Sequence, residues 1–196
     1  MSKVKYGLKN VHYAVGTVAA DGTITYDTPV AFPGAVSMSL DAQGERSVFY
    51  ADDIEYFVTN NNNGYQGDLE MALITDAFHT DILGEVEDTK HVMFEDADAP
   101  AVHFALMGEF TEDANAKRWV LYNCTASRPS TAGQTKGETI EPQTETVQIT
   151  AAPVYNDDLK KNIVKASTNA STDTTTYNGW YTAVYTPTVS NTASTT

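Results

Sequence analysis

The sequence predicts a mostly β protein, an antiparallel β-sandwich or partial barrel with one flanking α-helix, a long inter-strand loop and an extended C-terminal arm. Segments rich in β-branched and aromatic residues recur between Gly, Pro, Asn and Asp, a pattern typical of strands and turns. In several of them apolar and polar residues alternate, as in strands with one buried face. The 196-residue chain suits one core domain, predicted at residues 11–166 between an N-terminal arm (1–10) and a C-terminal segment (167–196).

Two hairpins are predicted, one within residues 11–26 and one within residues 101–126. In the first, Asp21 and Gly22 supply the positive φ angles that a tight turn requires. The second surrounds a polar turn, and alternation predicts a further strand at residues 144–154.

Three more predicted strands, at residues 36–41, 54–59 and 68–74, have one apolar and one acidic face. Alternate residues of a strand point to opposite faces, so the residues between the apolar ones share a surface. Its predicted carboxylates are Asp41, Glu55, Asp68 and Glu70.

The long loop is predicted at residues 42–53, between the first two of these strands. It is too long for a minimal hairpin, and its apolar tip requires a partner. It either folds back on its own domain or docks on another subunit. The candidate contact residues are Gly44, Glu45, Arg46, Val48, Phe49 and Tyr50.

The single predicted helix covers residues 75–84. Thr75 or Asp76 can cap its start, and Gly84 suits its end. One apolar stripe should pack on the sheet. The stripe consists of Phe78, Ile82 and Leu83.

The C-terminal segment is predicted to have three parts. Residues 167–176 are rich in Ser, Thr and Asn and are expected to be mobile. An aromatic cluster follows and should anchor the arm, whereas residues 186–196 are expected to be disordered. The anchor candidates are Trp180, Tyr181 and Tyr185.

The net charge of −14 is concentrated in residues 10–89, which hold 14 Asp or Glu and one basic residue, Arg46. Stable DNA binding is disfavoured, because it depends on Lys and Arg at the phosphates. No segment suits a signal peptide or a membrane span. The single cysteine, Cys124, cannot form an intrachain disulfide and is predicted to fill the core.

No motif points to catalysis, so no catalytic residue, cofactor or metal ligand is predicted. The four histidines lack the spacing of a metal site. A calcium-loop-like start at Asp113 has Arg118 where a turning Gly is needed. Glu95 and Asp98 could serve a glycoside hydrolase, but clustered acids are more often a solvated turn. No nucleophile elbow, phosphate loop or dinucleotide fingerprint occurs.

Several short motifs follow one another across residues 11–156. They are Val36-Ser37-Met38-Ser39-Leu40, Phe49-Tyr50-Ala51-Asp52-Asp53, Gly64-Tyr65-Gln66-Gly67-Asp68-Leu69-Glu70, Asp76-Ala77-Phe78 leading to Ile82-Leu83-Gly84-Glu85, Phe104-Ala105-Leu106-Met107-Gly108 and Arg118-Trp119-Val120-Leu121-Tyr122. In their order and spacing these motifs resemble the major tail protein, or tail-tube, family of siphophages.

The resemblance implies a structural virion protein, not an enzyme, that forms hexameric rings stacked into a tail tube. Its partners would be other copies of itself, a tape measure protein and tail-end proteins, with assembly in the host bacterial cytoplasm and no membrane. The acidic face would line the lumen, where DNA passes without stable binding, and the loop at residues 42–53 would join successive rings.

A carbohydrate-binding or adhesin-like β-sandwich is the alternative. In that interpretation the tyrosines, together with Trp180 and Tyr181, would form a stacking platform for sugars.

Overall fold

The computed structural model describes residues 4–112, 115–135 and 142–188. Strand makes up 51% of the structure and helix 6%, which confirms the predicted mostly β, antiparallel class. Neither helix among the described residues is long and apolar enough to cross a membrane.

The described residues form fifteen strands and two short helices, and the predicted hairpins and helix are among them. In chain order they are β1 (Lys5–Val18), β2 (Ile24–Tyr26), β3 (Val30–Ala31), β4 (Ala35–Gln43), β5 (Arg46–Ala51), β6 (Ile54–Asn60), β7 (Gly64–Met71), α1 (Asp76–Asp81), β8 (Glu85–Glu87), β9 (Met93–Glu95), β10 (His103–Glu112), β11 (Lys117–Ala126), β12 (Glu145–Ala151), β13 (Val154–Asn156), β14 (Lys161–Ile163), β15 (Lys165–Ser167) and α2 (Thr174–Asn178).

The main sheet has nine strands in the order β2-β1-β10-β11-β12-β7-β4, with β3 paired to β1 and β15 paired to β11. The sheet is open, yet its strands β1 and β4 approach each other. The chain crosses from β3 to β4 through Pro33 and Gly34, and the φ of +95° at Gly34 suits a residue without a side chain. This bend makes the sheet a partial barrel around an apolar interior.

The strand register defines two ends of this sheet. At one end, β1 begins at Lys5, β11 begins at Lys117, and β4 ends at Gln43, just before β5. We call this the ribbon end. At the opposite, loop end, residues 72–102 connect the last residue of β7 to the first residue of β10. Residues 5–10 of the predicted N-terminal arm therefore belong to a strand, because β1 already pairs with β10 at Lys5.

Helix α1 covers the apolar interior of the sheet. Thr75 caps it by accepting a hydrogen bond from the backbone N–H of Phe78. The Phe78 ring is fully buried, stacks on Phe32 at a centroid distance of 4.4 Å, and meets Tyr13 edge-on at 5.2 Å. The Tyr13 hydroxyl donates to Asp81 Oδ2 at 2.8 Å. The predicted contact between helix and sheet is confirmed.

The opposite face of β1, β10 and β11 carries a second apolar cluster. It is covered by residues 168–188, which we call the C-terminal strap. Trp180 is buried in this cluster, and its ring stacks on Tyr185 at 5.3 Å. Within residues 167–176, which were expected to be mobile, Thr168 is buried and bonded to Arg118, and α2 begins at Thr174.

One hydrogen bond gives a test of how firmly the strap is attached. Tyr122 is buried, and its hydroxyl donates to the Tyr185 carbonyl at 2.6 Å. We expect Tyr122→Phe to lower the free energy of unfolding by about 1 kcal/mol, the usual net value of such a bond. Urea unfolding measures this free energy. The control is Tyr56→Phe, at a ring that is 69% exposed, and it should leave the free energy of unfolding unchanged. An unaltered urea midpoint in Tyr122→Phe would contradict this role.

Candidate assembly surfaces

The predicted loop at residues 42–53 is instead half of a projecting β-ribbon. Strands β5 and β6 pair with each other and continue the ladder of β4 and β7, since the Asn63 N–H donates to the Gln43 carbonyl and the Asn61 N–H to the Glu45 carbonyl. Asp52 and Asp53, both with positive φ, form the turn. We call β5, β6 and this turn the apolar ribbon.

The apolar ribbon exposes large hydrophobic side chains on both of its faces. Val48 lies opposite Val58, and the next pair, Phe49 and Phe57, points to the other face because successive residues of a strand alternate. The strand prediction at residues 54–59 was right, but its expected burial was wrong. Exposed side chains on the ribbon are Phe49, Tyr50, Ile54, Tyr56, Phe57 and Val58, with exposed fractions of 61%, 61%, 61%, 69%, 61% and 41%.

The candidate contact residues of the predicted loop all lie at the base or on the first strand of this ribbon. Gly44 lies close to the backbone of the opposite strand, because a side chain added there would lie 1.9 Å from the Asn61 carbonyl oxygen. Arg46 forms an ion pair with Glu55 at 2.5 Å across the ribbon. Glu45 and Val48 belong to the same stretch, and Phe49 and Tyr50 supply its aromatic surface.

Three of the four predicted carboxylates share one face of the main sheet. Ser39 lies opposite Asp68 and Asp41 lies opposite Gln66, on the side away from buried Leu69. The expected common surface is wrong for Glu55, which belongs to the ribbon and pairs with Arg46 there. The prediction from strand alternation failed for Glu55 because it assumed that β6 belongs to the same sheet as β4 and β7. The three carboxylates that do share the face are Asp41, Asp68 and Glu70.

This acidic face contains no basic residue at the outward positions of β4, β7 and β12. The side chains at these positions are Ser37, Ser39, Asp41, Gln43, Gln66, Asp68, Glu70, Thr146, Gln148 and Thr150. The Glu70 carboxylate accepts hydrogen bonds from the hydroxyls of Thr144 at 2.6 Å and Ser37 at 2.7 Å, and these bonds lower its pKa. Glu70 therefore keeps its negative charge at neutral pH.

One anchor residue of the strap, Tyr181, contacts a buried carboxylate that the sequence analysis did not single out. Glu109 is only 3% exposed and binds Arg118 Nε at 3.1 Å and Asn10 Nδ2 at 2.8 Å. The Arg118 guanidinium also donates to the Tyr177 carbonyl and lies over the Tyr181 ring. A buried charge of this kind is stable only when paired. The network therefore fixes the strap onto the β10–β11 hairpin.

A shallow cleft of about 200 Å³ opens beside the strap. Its wall includes the aromatic rings of Tyr26 and Tyr155 and the adjacent carboxyl residues Asp157 and Asp158. Trp180 is buried elsewhere and takes no part in an exposed sugar-stacking platform.

No protein-family model and no curated protein matches this chain.

Proposed function

We propose that this chain is a tube-forming structural subunit, the tail-tube protein of a long-tailed phage. The apolar ribbon carries the proposal. A two-stranded hairpin alone is at best marginally stable in water, and this one exposes six large hydrophobic residues on two faces. Such an element gains stability when another copy covers it, as in a stack of rings.

The acidic face supports a conduit for DNA. Phosphates bind proteins mainly through Lys and Arg, and none occupies the outward positions of β4, β7 or β12. A tube lined by this face would repel packed DNA and let it slide. The role assigned to Asp41, Asp68 and Glu70 is electrostatic and involves no chemical reaction.

The free edge of the main sheet supports closure into a ring. Strand β4 ends the strand order and, among the described residues, pairs only with β7. An uncovered edge offers backbone N–H and C=O groups to another strand, and a closed ring removes such edges. Negative-stain microscopy of the purified protein tests the proposal. Rings or tubes with a central channel are expected, whereas a monomer at all concentrations would overturn it.

Charge reversal on the acidic face should slow DNA passage without preventing assembly. We expect phage particles carrying Asp41→Lys and Asp68→Lys to form tails of normal length, since exposed substitutions change stability by only ~0.5 kcal/mol each. Their DNA ejection should be slower, most clearly at low salt, because each new Lys can hold a phosphate where screening is weakest.

The matched control carries Asp27→Lys and Asp158→Lys, which make the same change of charge at exposed positions away from this face. Ejection kinetics, followed by DNA release from purified particles, should match the wild type in the control. Equal rates in both variants at low ionic strength would contradict a lumenal acidic face.

A carbohydrate-binding module is the second candidate, and the shallow cleft favours it. Tyr26 and Tyr155 beside Asp157 and Asp158 offer a ring surface and hydrogen-bond acceptors, the chemistry that binds a sugar. Glycan-array binding that Tyr155→Ala abolishes, by a protein that does not polymerise, would favour this candidate over the tube.

A further inference from the structure

Two lysines lie at the ribbon end of the sheet, and a third, Lys165, lies further along β11 and near Tyr65 at the base of the ribbon. Lys5 begins β1, Lys117 begins β11 opposite Phe110, and Lys165 begins β15 opposite Leu121. The Lys5 ammonium lies 4.3 Å from the centre of the Phe110 ring. We call these three lysines the basic rim.

The basic rim is without charged partners among the described residues. None of its lysines takes part in an ion pair there, although Glu112 lies opposite Lys5 in the ladder. Burial and the like charges of Lys117 and Lys5 lower the pKa of Lys165. Three lysines without an ion-pair partner among the described residues stand out in a chain with 12 basic and 26 acidic residues. A negative surface brought against them would remove their mutual repulsion.

The loop end carries the opposite charge around an apolar centre. Residues 72–102 contain eight carboxylates and one lysine, Lys90, and one of these carboxylates, Glu95, is paired with Arg128. At their centre Val86 lies directly opposite Phe94 on the β8–β9 hairpin, and both are exposed, with exposed Val92 nearby in the chain. We call residues 85–98 the acidic hairpin. The carboxylates of residues 72–102 are Asp76, Asp81, Glu85, Glu87, Asp88, Glu95, Asp96 and Asp98.

The two ends of one subunit are therefore complementary in both charge and polarity. The ribbon end has an apolar ribbon beside a basic rim, since Lys165 lies 5.6 Å from the ring of Tyr65 at the base of the ribbon. The loop end has an apolar hairpin among carboxylates. Contacts between opposite ends of identical subunits are heterologous and propagate along an axis.

We infer that the acidic hairpin of one copy receives the apolar ribbon and basic rim of the next copy. The inference rests on the proposed tube and names the two surfaces that meet between its rings. Apolar contact supplies most of the affinity in such an interface, and the charges set the polarity of stacking and exclude a head-to-head arrangement.

A charge swap tests this inference on the full-length protein. We expect Lys5→Glu with Lys117→Glu to raise the concentration required for polymerisation by about tenfold or more at low salt, because carboxylates would then face carboxylates. The matched control, Lys160→Glu with Lys161→Glu, makes the same change of charge in the β13–β14 hairpin, at lysines that do not belong to the basic rim, and should polymerise as the wild type does.

Adding Glu87→Lys and Asp98→Lys to the rim variant should restore polymerisation. The rim then carries carboxylates and the acidic hairpin carries lysines, so the two surfaces attract each other again. Sedimentation velocity and negative-stain microscopy over a salt series give the readout. If the wild type forms tubes and the rim variant polymerises equally well, the inference is overturned but the proposed function is not. The same holds if the swap fails to restore polymerisation. A wild-type protein that never polymerises would overturn the proposed function as well.

Discussion

Phe49→Thr with Phe57→Thr should abolish tube formation while leaving the subunit folded. The two rings are opposed on the ribbon and each is 61% exposed, so they contribute little to the fold of the monomer. Burying one Phe in an interface contributes ~1.5–3 kcal/mol, so losing two raises the polymerisation concentration by about a hundredfold or more. Threonine retains the β-propensity of the strand. Circular dichroism and electron microscopy would measure folding and assembly separately.

The control for this experiment is Val18→Thr with Tyr155→Thr, at side chains that are 46% and 45% exposed outside the ribbon. Tubes of normal length are expected from it. If the ribbon variant forms tubes as readily as the control does, the ribbon is not the contact between rings, and the main support for the proposed function is lost.

Phe78→Ala should be the most destabilising single truncation in the helix. The ring is fully buried and contacts Phe32 and Tyr13, with the Phe104 ring 6.0 Å away. Removing a buried Phe leaves a cavity, and the expected loss in the free energy of unfolding is ~3–5 kcal/mol. Most domains are stable by only ~5–15 kcal/mol, so the variant would be near its limit of stability.

Urea unfolding of the soluble subunit provides the measurement. The matched change is Leu73→Ala, which truncates an apolar side chain that is 67% exposed just before the helix, and it should cost ~0.5 kcal/mol or less. A loss below ~1 kcal/mol for Phe78→Ala would mean that the interior relaxes around the missing ring and that α1 does not depend on it.

Much of the fold was predictable because local patterns in this chain agree with its tertiary structure. The Asp21-Gly22 turn, the alternation in β12 and the cap at Thr75 each specify an element independently of distant residues. The predicted burial of Cys124 is confirmed, and burial raises the pKa of its thiol to about 12. These features depend on local backbone geometry and on the periodicity of apolar residues, and both can be recognised in a sequence.

The errors came from features that depend on partners far away in the chain. Polar residues 167–176 resemble a linker, yet Thr168 is fixed by the backbone of Arg118, fifty positions earlier. The first strand of the ribbon, β5, was interpreted as part of a loop because its exposed aromatic residues do not follow the one-sided alternation of a sheet strand. The basic rim was not foreseen, since its three lysines come together only through the pairing of β1, β11 and β15.

The order in which strands find their partners has a consequence for synthesis on the ribosome. The ribbon and the flanking β4 and β7 pair within residues 35–71, whereas β1 depends on β10, as the bond between Asn10 and Glu109 across 99 positions shows. Local pairs form before distant ones, so nascent chains display aromatic side chains before the interior can close. Neighbouring chains on one messenger would then be prone to coaggregate. The dense carboxylates of residues 10–89 repel such chains from one another, and the acidity of this stretch therefore opposes aggregation of the nascent chains.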